Sequence, residues 1–292
     1  MGQRADNIKP ALDSDKPFLP EAVFSEDVVL VTGGTSGMGL AAAIAFAQGG
    51  ARLVLVGRNR ERGAEAVKKI EMLGEKAIAV SADVRDQDSV RAAFDSAETE
   101  FGPVTIVANN AGANFPALAE AISTNAWNAV TRIAIDGTFY VSSEFKRRAV
   151  AGGRGGAIVN NSAQYIYTGF PADAHSAAAK TAIAAMTKAQ ARDWKSLGIR
   201  VNCVAAGFFP HSASPGAYDP ESIAALGAMI PAGRTGAMHE FGWASAFLCS
   251  PFASAITGQV MMIDGGEGLR KSLMSPDFVA PNQRSNPWEY TT

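Results

Sequence analysis

The chain has 292 residues, 47% of them hydrophobic, which is enough to bury the core of one α/β domain. Its formal net charge of −2 gives no electrostatic reason to expect nucleic acid or an anionic membrane as a partner. Residues 1–20 lack the apolar stretch of a signal peptide, and no run approaches the roughly 18 apolar residues of a membrane span, so we expect a soluble, cytoplasmic protein.

The first predicted element is a strand at Val28–Val31, followed by a glycine-rich turn and an Ala-rich helix that begins near Leu40. Four consecutive apolar residues indicate a strand that is buried on both faces, as in a parallel sheet. Glycines let the backbone approach a nucleotide diphosphate, and the start of the helix offers free N–H groups and the positive end of its dipole. An ordinary loop is the alternative, but the flanking strand and helix favour a nucleotide site. The candidate contacts in this turn are Gly33, Thr35, Ser36, Gly37, Met38 and Gly39.

Strands and helices alternate along the rest of the chain. Further strands are predicted at Arg52–Gly57, Ala77–Val80, Val104–Ala108, Ala157–Asn160, Ile199–Val204 and Gln259–Ile263. Helices are predicted at Arg60–Leu73, Gln87–Phe101, Asn125–Ala149, His175–Leu197 and Glu240–Leu248, and residues 207–220 are predicted to form a mobile loop. The alternation predicts a single doubly wound, Rossmann-like parallel sheet of seven strands with helices on both faces. This domain would span residues 25–268, between an N-terminal extension (1–24) and a polar C-terminal tail (269–292).

The residue after the second strand bears on the choice of cofactor. NAD sites usually place an acid there to bind the ribose diol, whereas NADP sites place a basic group for the 2′-phosphate. Here the strand is followed by Arg58, and the first carboxylate is Glu61. A solvated surface arginine is the alternative, but the pattern favours NADP. Beyond the third strand, Asp83 could accept a hydrogen bond from the adenine amino group or cap the following helix.

One lysine lies in an unusual environment. Lys180 is the only charge among small and apolar residues, and it lies four residues after Ser176, on the same face of the predicted helix. Burying an ammonium group is costly unless it reaches a polar partner, although a lysine that extends to water is the alternative. The two cysteines, Cys203 and Cys249, predict buried free thiols. The three histidines show no ligand spacing, so no metal site is predicted.

Several motifs together resemble the short-chain dehydrogenase/reductase family. They are the glycine turn, Asp83, and the run Asn109-Asn110-Ala111-Gly112 after the fourth strand, and the resemblance extends roughly from Asp27 to Gly266. It implies a nicotinamide cofactor, usually a homotetramer, and further cofactor contacts. These contacts would be Val84, Asn110, Ala111, Gly112, Lys180 and Gly207.

The chain departs from the family's usual catalytic pattern. Ser176 stands where the family has a tyrosine four residues before the lysine, and Ala134 stands where it has a helix asparagine. One branch, the mitochondrial-type 2,4-dienoyl-CoA reductases, shares the serine–lysine pair, a tyrosine 15 residues before the lysine (Tyr165), and the Asn114-Phe115 pair.

That branch implies NADPH-dependent reduction of a 2,4-dienoyl-CoA to a 3-enoyl-CoA. Tyr165 and Asn114 would donate hydrogen bonds to the thioester oxygen, Lys180 would hold the nicotinamide ribose, and Ser176 would orient Lys180 or the nicotinamide. Simple packing for Tyr165 and a turn role for Asn114 are the alternatives. The rival functions are reduction of another ketone or enoyl substrate, and cofactor binding without catalysis.

Overall fold

The computed structural model describes residues 19–211 and 219–270 and contains one parallel sheet. Its seven strands lie in the order β3-β2-β1-β4-β5-β6-β7, and every neighbouring pair is parallel. The strands are β1 Val28–Thr32, β2 Arg52–Gly57, β3 Ala77–Ser81, β4 Ile106–Asn109, β5 Gly156–Ala163, β6 Ile199–Ala206 and β7 Val260–Ile263. The predicted doubly wound, seven-stranded fold is therefore confirmed.

Eight α-helices accompany the strands in the described part of the chain. They are α1 Gly37–Ala47, α2 Arg60–Glu71, α3 Gln87–Phe101, α4 Thr124–Thr131, α5 Gly137–Ala151, α6 Ala174–Trp194, α7 Pro220–Ala228 and α8 Met238–Cys249. None of these helices combines the length and the apolar composition that a bilayer crossing requires.

Two helical regions differ from the sequence prediction. The helix predicted at Asn125–Ala149 is divided by a π-helical segment, Arg132–Asp136, in which each turn takes in one more residue than in an α-helix. Helix α7 was not predicted, although Asp219 caps it by accepting from the Ser222 N–H at 2.9 Å and proline follows at its first position. Residues 212–218 of the predicted mobile loop lie outside the described residues, as do most of the N-terminal extension and the tail beyond residue 270.

The core has two apolar layers, one on each face of the sheet. Phe24 and Phe46 lie in the first layer with ring centroids 5.2 Å apart, and Phe94 and Phe145 lie in the second. Burying each phenylalanine contributes about 1.5–3 kcal/mol. Because Phe24 is fully buried, the packed core already includes the last residue of the predicted N-terminal extension. The two cysteines are buried free thiols, as predicted.

The strand order reverses direction between β1 and β4. The chain winds from β1 toward β3 on one side and from β4 toward β7 on the other, which leaves a crevice at the carboxyl ends of these two strands. Strand β5 continues to Ala163, three residues beyond its predicted end at Asn160, and β6 continues to Ala206. Both strands therefore carry additional residues up to the edge of this crevice.

Candidate active site

The glycine turn after β1 forms a close-packed cradle at the start of α1. Gly33 has a φ of 63°, which favours glycine, and a Cβ on Gly39 would lie 2.2 Å from the Gly33 carbonyl oxygen. Helix α1 begins at Gly37, three residues before its predicted start at Leu40. The side chain of Ser36 makes no cap hydrogen bond, so it leaves the first-turn N–H groups available to an anion.

One hydroxyl ties this turn to the end of β4. Thr32 Oγ1 accepts hydrogen bonds from the backbone N–H groups of Asn110 and Ala111, at 3.0 and 3.1 Å. The two strands on either side of the crevice are therefore held in register, and the predicted cofactor contacts at residues 110–112 lie beside the glycine turn.

A cavity of about 310 Å³ lies beside the turn and the ends of β2 and β3. Arg58 and Arg62 line it, and among the described residues neither guanidinium forms an ion pair with a carboxylate. Arg62 was not identified from the sequence, although it lies in the first turn of α2, four residues after Arg58. Asn59 caps α2 by accepting from the Arg62 N–H at 2.8 Å, so the helix start also opens onto this cavity.

Asp83 and Val84 line the same cavity, but the Asp83 carboxylate is already engaged. Arg85 Nη2 donates to Asp83 Oδ2 at 2.6 Å, and this hydrogen bonding lowers the pKa of Asp83 to about 2. The N-cap of α3 is Asp86, so the alternative in which Asp83 caps that helix is wrong. The Asp83 carboxylate is therefore paired with Arg85, and the nearby positive charge of Arg58 lowers its pKa further.

A second cavity, of about 430 Å³, brings the four predicted catalytic residues together. Asn114, Tyr165, Ser176 and Lys180 all line it, although they come from three separate parts of the chain. Residues shared with the first cavity make the two contiguous. These shared residues are Gly33, Ser36 and Gly112. Predicted cofactor contacts Gly37, Met38, Asn110 and Gly207 line the second cavity as well.

Lys180 reaches a polar partner within the protein. Its Nζ donates to the Asn161 backbone carbonyl at 2.9 Å, and Ser162 Oγ donates to the Lys180 carbonyl at 2.8 Å. Desolvation by the surrounding protein lowers the pKa of Lys180 to about 8. The lysine is therefore held by the residues of β5 that lie beyond its predicted end at Asn160.

Tyr165 and Ser176 form a hydroxyl pair. Their oxygen atoms are 2.9 Å apart, and burial raises the pKa of Tyr165 above its usual value. The Tyr165 ring also packs against Phe170, with centroids 5.7 Å apart, so the side chain both packs and presents its hydroxyl to the cavity. In this structure Ser176 contacts Tyr165, whereas we expected it to orient Lys180 or the nicotinamide.

Asn114 is bonded at both ends of its carboxamide. Its Oδ1 accepts from the Phe115 N–H at 2.9 Å, and its Nδ2 donates to Asp173 Oδ2 at 3.2 Å. The first contact is a turn interaction, as the alternative interpretation of Asn114 anticipated. The second contact was not predicted, because residue 173 precedes α6 and looks in sequence like an ordinary helix cap.

A buried polar network supports the site from beneath. Asn109 Nδ2 donates to Asn160 Oδ1 at 2.9 Å, and Asn160 Nδ2 donates to Thr187 Oγ1 at the same distance. Asn161 Nδ2 donates to Asn110 Oδ1 at 2.8 Å. These asparagines were not all recognised from the sequence, yet they fix the ends of β4 and β5 that carry the site. Within residues 19–211 and 219–270 no three side chains form a potential metal cluster.

The chain is similar to reductases and dehydrogenases in sequence and in structure. The family model described as enoyl-(acyl carrier protein) reductase matches residues 33–267. The mouse peroxisomal 2,4-dienoyl-CoA reductase is 35% identical over 90% of this chain and 92% of its own length. Gluconate 5-dehydrogenase of Gluconobacter oxydans is 36% identical over 81% of this chain and 93% of its own. A crystal structure of a short-chain dehydrogenase from Bacillus anthracis superimposes with a TM-score of 0.80 at 38% identity, covering 86% of this chain and all of that one.

Proposed function

Because the chain belongs to the short-chain dehydrogenase/reductase family, we propose that it reduces 2,4-dienoyl-CoA thioesters to 3-enoyl-CoA with NADPH. The observation that carries the proposal is the second cavity, in which Tyr165 and Asn114 lie together beside the glycine turn. Ser176 occupies the usual position of the family's catalytic tyrosine, so simple alcohol–ketone chemistry would lack its customary acid–base group. The rival is reduction of another carbonyl or enoyl substrate, which the likeness to gluconate 5-dehydrogenase keeps open.

The residues present fit a dinucleotide. A Cβ at Gly39 would collide with the Gly33 carbonyl oxygen, so glycine lets the first turn of α1 pack closely against the glycine turn. The uncapped first-turn N–H groups of α1 would then bind the diphosphate. The first cavity is suited to the adenosine end, where the arginines Arg58 and Arg62 would bind a 2′-phosphate. The nicotinamide would supply the hydride when bound.

The protein's part in the reaction is electrostatic. A hydride added at C5 of the dienoyl chain moves an electron pair through the conjugated system and leaves negative charge on the thioester oxygen. Preorganised donors that meet this oxygen stabilise the transition state more than the ground state. Tyr165 O–H and Asn114 Nδ2–H would be these donors, and water in the site would then protonate the α-carbon.

The protonation states of Tyr165 and Lys180 at neutral pH suit these roles. Burial raises the pKa of Tyr165, which keeps its hydroxyl protonated and able to donate at neutral pH. The pKa of Lys180, at about 8, leaves the ammonium charged at neutral pH, where it would bind the nicotinamide ribose and favour the developing negative charge. We propose that the enzyme is active as a homotetramer in the cytoplasm.

The test is NADPH consumption with a short 2,4-dienoyl-CoA, run beside NADH and a panel of simple ketones. We expect Tyr165→Phe to bind NADPH normally and to lose about 10²-fold in kcat. Tyr167→Phe is the matched control, because Tyr167 is 72% exposed and lies two residues away.

Unchanged turnover in Tyr165→Phe would remove that hydroxyl from the mechanism. Turnover with ketones alone would move the protein to the general reductases. Tight NADPH binding without any turnover would support a cofactor-binding protein instead.

A further inference from the structure

The orientation of the Asn114 carboxamide is determined from both ends. A carboxylate can only accept a hydrogen bond, and a backbone N–H can only donate one. Asn114 Nδ2 must therefore face Asp173, at 3.2 Å from Oδ2, while Oδ1 must face the Phe115 N–H at 2.9 Å. The amide group has one acceptor oxygen and two N–H bonds, so these contacts leave a single N–H of Asn114 for a ligand.

Asp173 does not perform the usual task of an acidic residue at its position. It stands at the N-cap of α6, where an aspartate normally accepts hydrogen bonds from the first-turn N–H groups, yet its side chain makes no such bond. The residue is only 8% exposed, and its Oδ1 has no hydrogen-bond partner among the described residues. Its carboxylate therefore does not cap the helix and is largely removed from solvent.

The surroundings of Asp173 indicate what this arrangement provides. Two titratable neighbours are coupled to Asp173 by charge. One is His175, which is fully buried and packs edge-on against Phe115 with centroids 4.6 Å apart. The other is Tyr165, whose pKa is raised mainly by burial and further by the charge of Asp173. Within residues 19–211 and 219–270, the side-chain hydrogen bond of Asp173 to another side chain goes to Asn114. A desolvated carboxylate is a strong and directional acceptor.

We propose that Asp173 is a positioning residue that fixes the Asn114 carboxamide, so that its one remaining N–H is directed to the thioester oxygen of the substrate. The inference rests on the proposed function, in which Asn114 is one of two donors. Asp173 acts through the geometry of Asn114 and not through its charge, because a negative group behind the donor would disfavour the developing oxyanion. An uncharged acceptor at position 173 should therefore preserve part of the effect.

We expect graded losses of kcat in a series of variants. Asp173→Leu removes the acceptor at similar volume and should lower kcat about 10- to 100-fold, which is no more than the loss in Asn114→Ala. Asp173→Asn retains an acceptor oxygen and should keep a clearly larger share of kcat than Asp173→Leu. The KM for NADPH should stay within about twofold in both. Asp193→Leu is the matched control, since it removes an exposed carboxylate from the other end of the same helix.

Two further measurements separate positioning from a merely structural role. In the Asn114→Ala background, Asp173→Leu should cause no additional loss of kcat, because the group that it positions is already absent. Crystal structures of the wild type and Asp173→Leu should show a displaced or doubly oriented Asn114 side chain only in the variant. Equal losses in the Leu and Asn variants, additive losses with Asn114→Ala, or an unmoved Asn114 would overturn the inference.

These results also distinguish this inference from the proposed function. A reduced kcat in Asn114→Ala together with wild-type kcat in Asp173→Leu would refute the role of Asp173 alone. Wild-type kcat in Asn114→Ala would refute the donor role of Asn114, while the crystallographic comparison would still decide whether Asp173 fixes the amide.

Discussion

Replacing Lys180 by methionine should stabilise the protein while abolishing its turnover. Burial lowers the pKa of this lysine from 10.5 to about 8, and each pKa unit corresponds to about 1.4 kcal/mol. Keeping the ammonium charged in the folded state at pH 7 therefore costs about 3 kcal/mol. Methionine has a similar length and no charge. The variant also loses the hydrogen bond to the Asn161 carbonyl, which costs about 1 kcal/mol. Its free energy of unfolding should therefore exceed that of the wild type by about 2 kcal/mol.

The pH dependence of this gain follows from proton linkage. Between pH 8 and 10.5 the unfolded wild-type chain holds a proton that the folded protein has released, so wild-type stability rises with pH across this interval. Below pH 8 the full cost of the buried charge is present. The advantage of Lys180→Met should thus be greatest at pH 7 and shrink above pH 8. Near pH 10.5 the variant should be about 1 kcal/mol less stable than the wild type, because only the lost hydrogen bond then separates them.

Urea unfolding followed by circular dichroism at pH 7, 8, 9 and 10 measures this difference. The protein concentration must be held constant, because association contributes to apparent stability. Lys188→Met serves as the control, since Lys188 is an exposed lysine on the same helix. Lower stability of Lys180→Met at pH 7, or a difference that does not change with pH, would refute the reasoning.

Two further variants test other parts of the structure. Arg58→Leu should weaken NADPH binding about 10-fold and leave NADH binding nearly unchanged in calorimetric titrations, and equal losses for both would contradict a 2′-phosphate site. Glu144→Gln should destabilise the protein at pH 7 by about 1–3 kcal/mol, because hydrogen bonds from Arg147 and Arg148 lower the pKa of the buried Glu144 from 4.5 to about 2. That difference is complete above pH 4.5 and should disappear as the pH falls through 2 in thermal unfolding; a difference that persists at pH 2 would argue against this ion pair.

The sheet could be predicted because its strands carry strong local signals. Runs such as Val28–Val31 are continuously apolar, and such runs alternate with helical segments, so the number of strands, their parallel arrangement and the position of most helices follow from general rules. The cofactor turn was equally visible, because glycine spacing is a direct consequence of close backbone approach. These features depend on residues that are near one another in the chain.

The parts that were missed depend on contacts between distant residues. Asn161 and Ser162 are polar and resemble a loop, yet they belong to β5 because they pair with residues 204 and 205 of β6. Their side chains bond to residues 110 and 180, which are also distant in the chain. Asp173 resembles a helix cap, and only its contact with a side chain 59 residues away shows otherwise. The role of Asp83 could not be assigned because of a local contact: Arg85, two residues on, binds its carboxylate.

The π-helical segment Arg132–Asp136 has a consequence for how this region can diverge. One surplus residue rotates everything that follows it by about 100° about the helix axis, so α4 packs against α6 while α5 packs against α3 and β4. Deleting a single residue here would keep the region from α4 to α5 helical but would rotate α4 or α5 away from the elements on which it packs. A change of side chain within the segment, for example at Ala134, would leave the rotation between α4 and α5 unchanged. The segment therefore tolerates changes of identity far better than changes of length.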